Sequence, residues 1–210
     1  MIRNWLTKKT IDTYDKIAEK FSKSHTRPFW VNELNLYKNL INGLKIIDIG
    51  CGAGRDAPCF INANFDYTGI DASKKMLTEA LRYAPGGKYF KMNFYGINFP
   101  NDAFDGFWAV ASYYHAPKKD LLHLLIEAKR IIKTGGIGFI VLREKNRNDN
   151  FNEGIISDDE YGGVKRYFSF YTKNEAENII INAGFKILKF RKKIEKDDRK
   201  TSWLAFFVKK

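Results

Sequence analysis

One short glycine-rich turn sets the fold class that this chain can adopt. Gly50, Gly52 and Gly54 alternate directly after the apolar run Leu44–Ile49, which we predict to be a buried strand. Glycines at the end of a strand let the backbone reverse sharply and approach a bound ligand closely. The segment Arg55–Ala63 then shows helical patterning. This order of elements indicates an α/β fold with a ligand site at the carboxyl end of the strand.

Strand-like and helical segments alternate along the rest of the chain. Apolar runs predict four further strands of the sheet, at Tyr67–Ile70, Lys88–Met92, Gly106–Ala111 and Ile137–Leu142. A closing pair is predicted at Phe185–Phe190 and Trp203–Val208, joined by a turn at Glu195–Lys200. Helices are predicted between these runs wherever apolar side chains recur at helical spacing. The alternation predicts a doubly wound, mostly parallel sheet with helices on both faces.

The chain is predicted to be a single domain, residues 1–210, because no linker or repeat divides it. Residues 1–42 are expected to form an N-terminal helical lid, and residues 43–143 the ligand-binding core. Residues 144–170 are polar and lack periodicity, so we expect a long loop on the substrate side. Residues 171–210 should supply the last helix and the closing strand pair.

Composition bears on the class of partner. There are 36 Lys and Arg against 24 Asp and Glu, and the net charge of +12 permits an anionic partner such as RNA. The lysines are scattered along the whole chain, so the charge alone does not single out RNA. No apolar run could span a bilayer and no signal segment is visible, so we expect a cytoplasmic protein without a membrane partner. Cys51 and Cys59 do not form a metal-binding pattern, and no metal is expected.

Polar side chains stand at three of the predicted strand ends. Asp48 can meet the ammonium group of an amino-acid-bearing cofactor. Asp71 can accept hydrogen bonds from both ribose hydroxyls of an adenosine cofactor, or it could simply lead into the next helix. The amide of Asn93 can bind the amino edge of adenine. Met92 and Phe94 could flank the base, or could equally belong to the core.

The joint spacing of these motifs resembles that of the class I S-adenosylmethionine-dependent methyltransferases. Asp48–Gly54 resembles the first motif of that family, and Gly69–Asp71 resembles the second. Phe99–Phe107 is similar to the approach to strand 4, and Leu121–Gly136 to the helix and turn before strand 5. The similarity extends over roughly the whole chain. It implies a Rossmann-like sheet of seven strands with an antiparallel pair at one edge, N-terminal lid helices, and S-adenosyl-L-methionine as cofactor.

The resemblance also implies a set of cofactor-binding residues. They are Asp48, Gly50, Gly52, Gly54, Asp71, Ala72, Asn93, Phe94, Ala111 and, from the lid, Tyr14. Tyr14 shares a helix face with Ile17 and Phe21, so plain packing is the alternative for it. Asn93 stands where the family usually has an acid. Its amide oxygen can still accept from the adenine amino group, and we expect binding to survive.

Residues of the predicted acceptor side come after the fourth and fifth strands. His115 is expected to contact the acceptor or to act as a base, the alternative being a histidine that caps a helix or packs under a loop. Tyr114 is the second catalytic candidate, and we expect either Tyr114 or Tyr113 to face the pocket while the other faces the core. The candidates for binding substrate are Tyr113 and three arginines that suit an acidic group, Arg27, Arg143 and Arg166.

Two subgroups of the family look similar to this chain. The chain resembles tRNA wobble-uridine methyltransferases at Tyr14–Ser22, Thr26–Trp30, Ala111–His115 and Arg166–Phe168. Arg166–Phe168, with Gly163 and Tyr171, also resembles a bacterial group that acts on small molecules. The leading hypothesis is methyl transfer to an O or N nucleophile of a small molecule, and tRNA is the alternative acceptor.

Two hypotheses from other classes accompany these. A nicotinamide-dependent oxidoreductase would need a glycine where Arg55 stands, which counts against it. A non-catalytic protein that binds the cofactor and acts through a partner is the other. The sequence does not indicate the oligomeric state.

Overall fold

The computed structural model of the protein describes residues 2–145, 151–158, 161–195 and 201–210. Within these ranges six α-helices form: α1 (Ile2–Ser24), α2 (Val31–Leu40), α3 (Ala57–Ile61), α4 (Lys74–Tyr83), α5 (Leu121–Ile131) and α6 (Lys173–Asn182). The strands are β1 (Lys45–Ile49), β2 (Asp66–Asp71), β3 (Lys88–Lys91), β4 (Phe104–Val110), β5 (Ile132–Arg143), β6 (Glu153–Asp158), β7 (Val164–Ser169), β8 (Lys186–Ile194) and β9 (Ser202–Lys209). Two short 3₁₀ turns, Tyr113–His115 and Lys118–Asp120, follow β4.

Seven strands form one sheet in the order β3-β2-β1-β4-β5-β9-β8. The first five are mutually parallel, whereas β9 runs antiparallel to both β5 and β8. The doubly wound, mostly parallel sheet of seven strands is thereby confirmed, with the antiparallel pair at one edge. The strand order reverses between β1 and β4, and open α/β sheets bind ligands at such a point. Residues 196–200 of the turn expected between the last two strands lie outside the described residues.

The turn predicted between α5 and the fifth strand is instead a β-bulge inside that strand. We expected residues 134–136 to form a turn, but β5 already begins at Ile132, opposite Phe104 of β4. The register then shifts, so that Gly106 pairs with Ile137. Gly135 has a φ of 80°, a conformation that glycine adopts without strain.

The core lies on both faces of the central strands, where apolar side chains follow one another with little interruption. β4 is buried along its whole length, as the middle strand of a parallel sheet should be. Helix α2 belongs to this core, because Leu34 and Tyr37 are buried and the Tyr37 hydroxyl donates to the Ile137 carbonyl at 3.1 Å. The expected lid of residues 1–42 is therefore wrong for α2. Among the described residues 2–42, those that line the cavity at the ligand-binding edge belong to α1 or are His25 just after it.

The segment 144–170, expected to be a loop, contains the antiparallel hairpin β6–β7. Its second strand is anchored: Tyr167 and Phe168 are buried, and the Ser169 hydroxyl donates to the Ala116 carbonyl at 2.6 Å. The sequence did not predict this hairpin because its strands lack a regular alternation of apolar and polar residues. Its buried residues are covered by elements that are distant in the sequence.

Helix α1 packs against the hairpin through two buried threonines. The Thr13 hydroxyl donates to the Lys165 carbonyl at 2.8 Å, and the Thr10 hydroxyl accepts from the Tyr167 amide at 3.1 Å. Hydroxyl side chains on a helix thus satisfy backbone groups of β7, which among the described strands pairs only with β6. None of the described helices combines the length and apolar character that crossing a membrane requires.

Candidate active site

A cavity of about 230 Å³ lies at the carboxyl ends of the parallel strands. Helix α1, strand β7 and residues at the adjoining ends of β5 and β9 contribute further walls. We call one part the glycine half; it is lined by Asp48, Gly50, Gly52, Asp71, Ala72 and Asn93. We call the other part the histidine half; it is lined by Tyr14, Tyr114, His115, Arg143, Arg166, Phe168 and Trp203. Most residues predicted from the sequence therefore line one cavity.

The glycines of the turn after β1 serve different purposes. Gly50 has a φ of 77°, and a Cβ there would lie 2.4 Å from the Cβ of Ser112, so this glycine lets the turn pack on the segment after β4. A Cβ on Gly52, whose φ is 55°, would meet nothing within 4 Å. Gly54 was expected to bind cofactor but does not line the cavity. A Cβ on Gly54 would lie 3.1 Å from Ala80, so it allows close approach of α4.

Asp71 ends β2 and is fixed by two backbone amides. Gly52 N donates to one carboxylate oxygen at 2.9 Å, and Ser73 N donates to the other at 2.8 Å. A carboxylate has about four lone-pair sites, so both oxygens keep acceptor capacity for a ligand. Burial raises the pKa of Asp71 to about 6, against the effect of these two hydrogen bonds.

Asp48 on β1 is buried and accepts a hydrogen bond from the Tyr67 hydroxyl at 2.7 Å. Burial raises the pKa of Asp48 to about 8, and the hydrogen bond from Tyr67 opposes that rise. A second buried acid in the cavity wall, Asp56, was not predicted. It accepts from Trp108 Nε1 at 3.0 Å. Its position two residues after the last glycine was the available signal.

The third polar residue of the glycine half follows β3. Asn93 Oδ1 accepts from the Tyr95 amide at 3.1 Å, which fixes the side chain and leaves acceptor capacity on the oxygen. Met92 and Phe94 line the cavity on either side of Asn93 in the sequence. Phe94 packs edge-on against Tyr113 with ring centroids 5.8 Å apart. Ala111, which follows β4 and also lines the cavity, has a φ of 56°, unusual for a residue with a Cβ.

A chain of hydrogen bonds organises the histidine half. His115 Nδ1 lies 2.7 Å from the Tyr167 carbonyl, which can only accept, so the ring proton resides on Nδ1. Nε2 is then an acceptor, and the Tyr14 hydroxyl lies 2.7 Å from it. Arg166 Nη1 in turn donates to the Tyr14 hydroxyl at 2.8 Å. Residues of α1, the β4 end and the hairpin thus meet at one histidine.

The environment of His115 keeps its ring neutral. Burial lowers the pKa of His115 to about 3, and the positive charges of Arg166 and Arg143 contribute in the same direction. The hydrogen bond to the Tyr167 carbonyl opposes this shift but does not outweigh it. The ring therefore offers a fixed lone pair on Nε2 at every pH at which the protein would work.

Aromatic rings and two arginines complete the histidine half. Tyr114 stacks on Phe168 with centroids 5.5 Å apart, and Trp203 packs against Tyr114 at 5.7 Å. The Arg166 guanidinium is buried over the same Phe168 ring at 5.2 Å, and Arg143 lies over that ring at 5.1 Å. Such contacts orient guanidinium groups and make Arg more suitable than Lys for a partly dry site.

Two predicted substrate-binding residues lie away from the cavity. Arg27 is exposed in the connection between α1 and α2, where a long cation is readily solvated. Tyr113 is buried beneath Phe94, and its hydroxyl has no hydrogen-bond partner among the described residues. Of the two adjacent tyrosines, Tyr114 lines the cavity and Tyr113 lies in the core, because successive residues of a 3₁₀ turn point in different directions. In the part of the chain that is described, no cluster of His, Cys, Asp and Glu could hold a metal ion.

Comparison with known proteins agrees with this geometry. Residues 46–136 match the family described as a methyltransferase domain. The chain is 31% identical over 162 residues to the methyltransferase phqN of Penicillium fellutanum, a match that covers 71% of this chain and 48% of that protein. It is 27% identical over 179 residues to a sterol 24-C-methyltransferase of Gibberella zeae, covering 77% of this chain and 44% of that protein. The chain thus spans about half the length of these curated relatives.

A solved structure shows the same fold over nearly the whole chain. The 1,6-didemethyltoxoflavin N1-methyltransferase of Burkholderia thailandensis, solved with 1,6-didemethyltoxoflavin and S-adenosylhomocysteine, superposes with a TM-score of 0.77 at 14% identity. The superposition covers 99% of this chain and 90% of that chain. Residues 46–136 thus form a methyltransferase domain, and the chain has the fold of S-adenosylmethionine-dependent methyltransferases. S-adenosyl-L-methionine is accordingly the cofactor of the family, as the sequence predicted.

The glycine half of the methyltransferase domain fits this cofactor by its own chemistry. Asp71 presents carboxylate oxygens that are held in place and still able to accept from a diol. The open space beside Gly52 admits a ligand close to the backbone. Asp48 supplies a buried acid opposite which an ammonium group would be stabilised, and Asn93 with Phe94 supplies a partly apolar end with one amide.

Proposed function

We propose that this protein transfers a methyl group to an O or N nucleophile of a small molecule. The observation that carries the proposal is the neutral His115, whose Nε2 lone pair faces the Tyr14 hydroxyl inside a cavity continuous with the glycine half. An acceptor that replaces this hydroxyl would have to donate a hydrogen bond to Nε2. Hydroxyl and amine groups can do so, whereas a carbon nucleophile has no comparable donor.

The glycine half would hold the cofactor, which when bound supplies a methyl group on a very good leaving group. We assign the ribose to Asp71, the amino-acid ammonium to Asp48 and the adenine to Asn93 and Phe94. Gly50, Gly52, Ala72 and Ala111 would supply backbone that the ligand can approach. In this scheme the side chains bind and orient, and much of the rate comes from holding two reactants in line.

His115 would orient the acceptor rather than take up its proton, which would pass to solvent once the methyl group has been transferred. General-base catalysis is most effective when the pKa of the base lies near the working pH. Burial and two nearby arginines lower the pKa of His115 to about 3, far below that range. A fixed lone pair nevertheless fixes the direction of an O–H or N–H group, and with it the lone pair that attacks. Tyr114, beside His115, would form a wall of the acceptor site.

The side chains of the histidine half favour a flat acceptor. Rings of Tyr114, Phe168 and Trp203 line it, and the guanidinium groups of Arg143 and Arg166 lie over Phe168. Glu195 also lines the cavity and offsets part of the positive charge. The Burkholderia thailandensis neighbour was solved with 1,6-didemethyltoxoflavin, which is consistent with a small acceptor in this fold.

A tRNA acceptor is the second candidate, and one surface favours it. Lys8, Lys9 and Lys16 of α1 and Lys165 of β7 surround a shallow depression beside the exposed Trp5. Such a basic surface with an aromatic ring could contact phosphates and a base. Asp12 lies in the same depression and pairs with Lys8 at 2.6 Å, which reduces the attraction for phosphate.

Methyl-labelled S-adenosylmethionine distinguishes these acceptors. The purified protein is incubated with it and with either the low-molecular-mass fraction or the total tRNA of the source cells. We expect label in the low-molecular-mass fraction, and none with the Asp71→Ala variant. Label confined to tRNA would overturn the small-molecule proposal, and a protein that binds the cofactor but labels neither fraction would favour a non-catalytic role.

A further inference from the structure

Two adjacent residues of α1 make contacts in different directions, one inside the histidine half and one just outside the glycine half. The Tyr14 hydroxyl lies in the histidine half, 2.7 Å from His115 Nε2. The carboxylate of Asp15 points to the other side, where its Oδ1 accepts from the Ser73 hydroxyl at 2.6 Å and from the Lys75 amide at 3.1 Å. Adjacent residues of α1 therefore connect the histidine half to Ser73, which is bonded to Asp71 of the glycine half.

The contact at Asp15 continues to the acid that we assign to the ribose. Ser73 donates its hydroxyl to Asp15 and its backbone amide to Asp71, and Asp71 accepts a second bond from Gly52. Three hydrogen bonds in series thus join α1 to the glycine turn. The charge of Asp15 also reaches Asp71, because it contributes to raising the pKa of that carboxyl.

Asp15 further completes the N-terminus of α4. The Ser73 side chain accepts from the Met76 amide at 3.1 Å, and Asp15 accepts from the Lys75 amide, so two of the free amides of the first turn are satisfied. A carboxylate at this end is also favourable for the helix dipole. Helix α4 carries Ser73 at its start, so a shift of α1 would be transmitted to Asp71.

We propose that Asp15 is a positioning residue that couples cofactor binding at Asp71 to the closing of Tyr14 over the acceptor. This inference rests on the proposed function, since it takes the Asp71 side of the cavity as the ribose site. Cofactor binding fixes Asp71 and Ser73, Ser73 holds Asp15, and Asp15 holds α1 in the position in which the Tyr14 ring covers His115. An acceptor bonded to Nε2 replaces the Tyr14 hydroxyl there but remains beneath α1. The acceptor site is then complete only when the cofactor is bound.

The chain offers a matched control for this inference. Ser22 also makes a side-chain hydrogen bond between α1 and α4, its hydroxyl donating to Glu79 at 3.1 Å. This bond joins the same two helices but does not lead to Asp71. Ser22→Ala therefore tests attachment of α1 in general, whereas Asp15→Ala tests the connection to the ribose site.

The test uses S-adenosylhomocysteine as the probe, with calorimetry for affinity and hydrogen exchange of α1 amides for closure. In the wild type the probe should slow exchange in α1. Asp15→Ala should weaken its binding by about tenfold and remove most of that slowing, whereas Ser22→Ala should keep both. Asp15→Asn, which keeps an oxygen for the Lys75 amide, should fold and give intermediate values even if Asp15→Ala does not fold.

Different results would contradict the coupling and the proposed function. If Asp15→Ala lowers only the melting temperature, with affinity and probe-dependent slowing unchanged, Asp15 is merely a helix cap and the coupling is wrong. Binding of the probe by the wild type without any slowing in α1 would also overturn the coupling. A folded wild type that does not bind the probe would instead refute the proposed function.

Discussion

The hydroxyl of Tyr14 lies 2.7 Å from Nε2 of His115, two residues that are 101 positions apart in the sequence. The contact closes α1 over the carboxyl end of β4, where an acceptor would have to reach the methyl group. It also shows what holds the covering helix in place, since Arg166 of the hairpin donates to the same hydroxyl. The closed state is thus stabilised by polar bonds that an acceptor could replace.

Removal of that hydroxyl should affect turnover more than cofactor binding. Tyr14→Phe keeps the ring but loses the hydrogen bond from Arg166, which would hold α1 closed while an acceptor occupies Nε2. We therefore expect kcat to fall about tenfold while KM for S-adenosylmethionine changes less than about twofold. Label transfer to the low-molecular-mass fraction measures both constants. Tyr83→Phe, which removes a hydroxyl bound to the Thr26 carbonyl outside the cavity, is the control. Equal effects of the two substitutions would show that the contact has no role in turnover.

The low pKa of His115 predicts how stability depends on pH. The folded protein binds a proton on this ring only near pH 3, whereas the unfolded chain binds one below its ordinary pKa of 6.5. The stability that the neutral ring provides is therefore present above pH 6.5 and is lost as the pH falls towards 3, by at most about 1.4 kcal/mol for each pH unit.

Urea unfolding between pH 7 and pH 4 measures this dependence. His115→Gln should make the loss of unfolding free energy shallower, because the unfolded chain then gains no proton at this position. His123→Gln, at an exposed position of α5, is the matched substitution. Identical slopes for the wild type and His115→Gln would mean that the buried ring is not kept neutral.

Asp48 predicts that cofactor binding releases a proton. Burial raises its pKa to about 8, so at pH 7 the carboxyl is mostly protonated without ligand. An ammonium group beside it would stabilise the carboxylate, so affinity for S-adenosylhomocysteine should increase as the pH rises from 6 to 8. Calorimetry in buffers of different ionisation enthalpy counts the proton. Asp48→Asn should show no release, and release by that variant as well would assign the proton to another group.

The two glycines after β1 should respond differently to a methyl group. Gly50→Ala forces a Cβ to 2.4 Å from Ser112 in a left-handed conformation, so we expect a loss of roughly 2 to 3 kcal/mol of unfolding free energy. Gly52→Ala has the conformational strain without the clash, roughly 1 kcal/mol, and should chiefly weaken S-adenosylhomocysteine binding. Thermal unfolding with and without the ligand separates the two effects, and Gly96→Ala is the unstrained control.

The sheet and the glycine half could be predicted because their signals are local in the sequence. The run before Gly50 and the acid at Asp71 each lie at a strand end, and parallel strands bring their carboxyl ends to one edge. Once the strand order is known, the place of each motif in the sequence therefore gives its place along that edge. The ends of the strands differed from the prediction mainly where a bulge, as at Gly135, replaced a turn.

The covering elements could not be predicted in the same way. Thr10 and Thr13 have the pattern of a solvated helix face, but they bind backbone groups of β7, more than 150 residues away. Asp15 looks like an ordinary surface acid until Ser73 is placed beside it. His115 stays neutral because it is buried by the hairpin β6–β7, which the polar sequence did not predict. These features arise from tertiary contacts, which periodicity does not contain.

Titration of S-adenosylhomocysteine into the wild type and Asp71→Ala tests the central claim most directly, with Asp66→Ala as a control acid on the same strand. We expect binding by the wild type and by Asp66→Ala, and a loss of at least about tenfold in affinity for Asp71→Ala. A folded wild type that does not bind, or an Asp71→Ala variant that binds equally well, would contradict the assignment of the glycine half as the cofactor site.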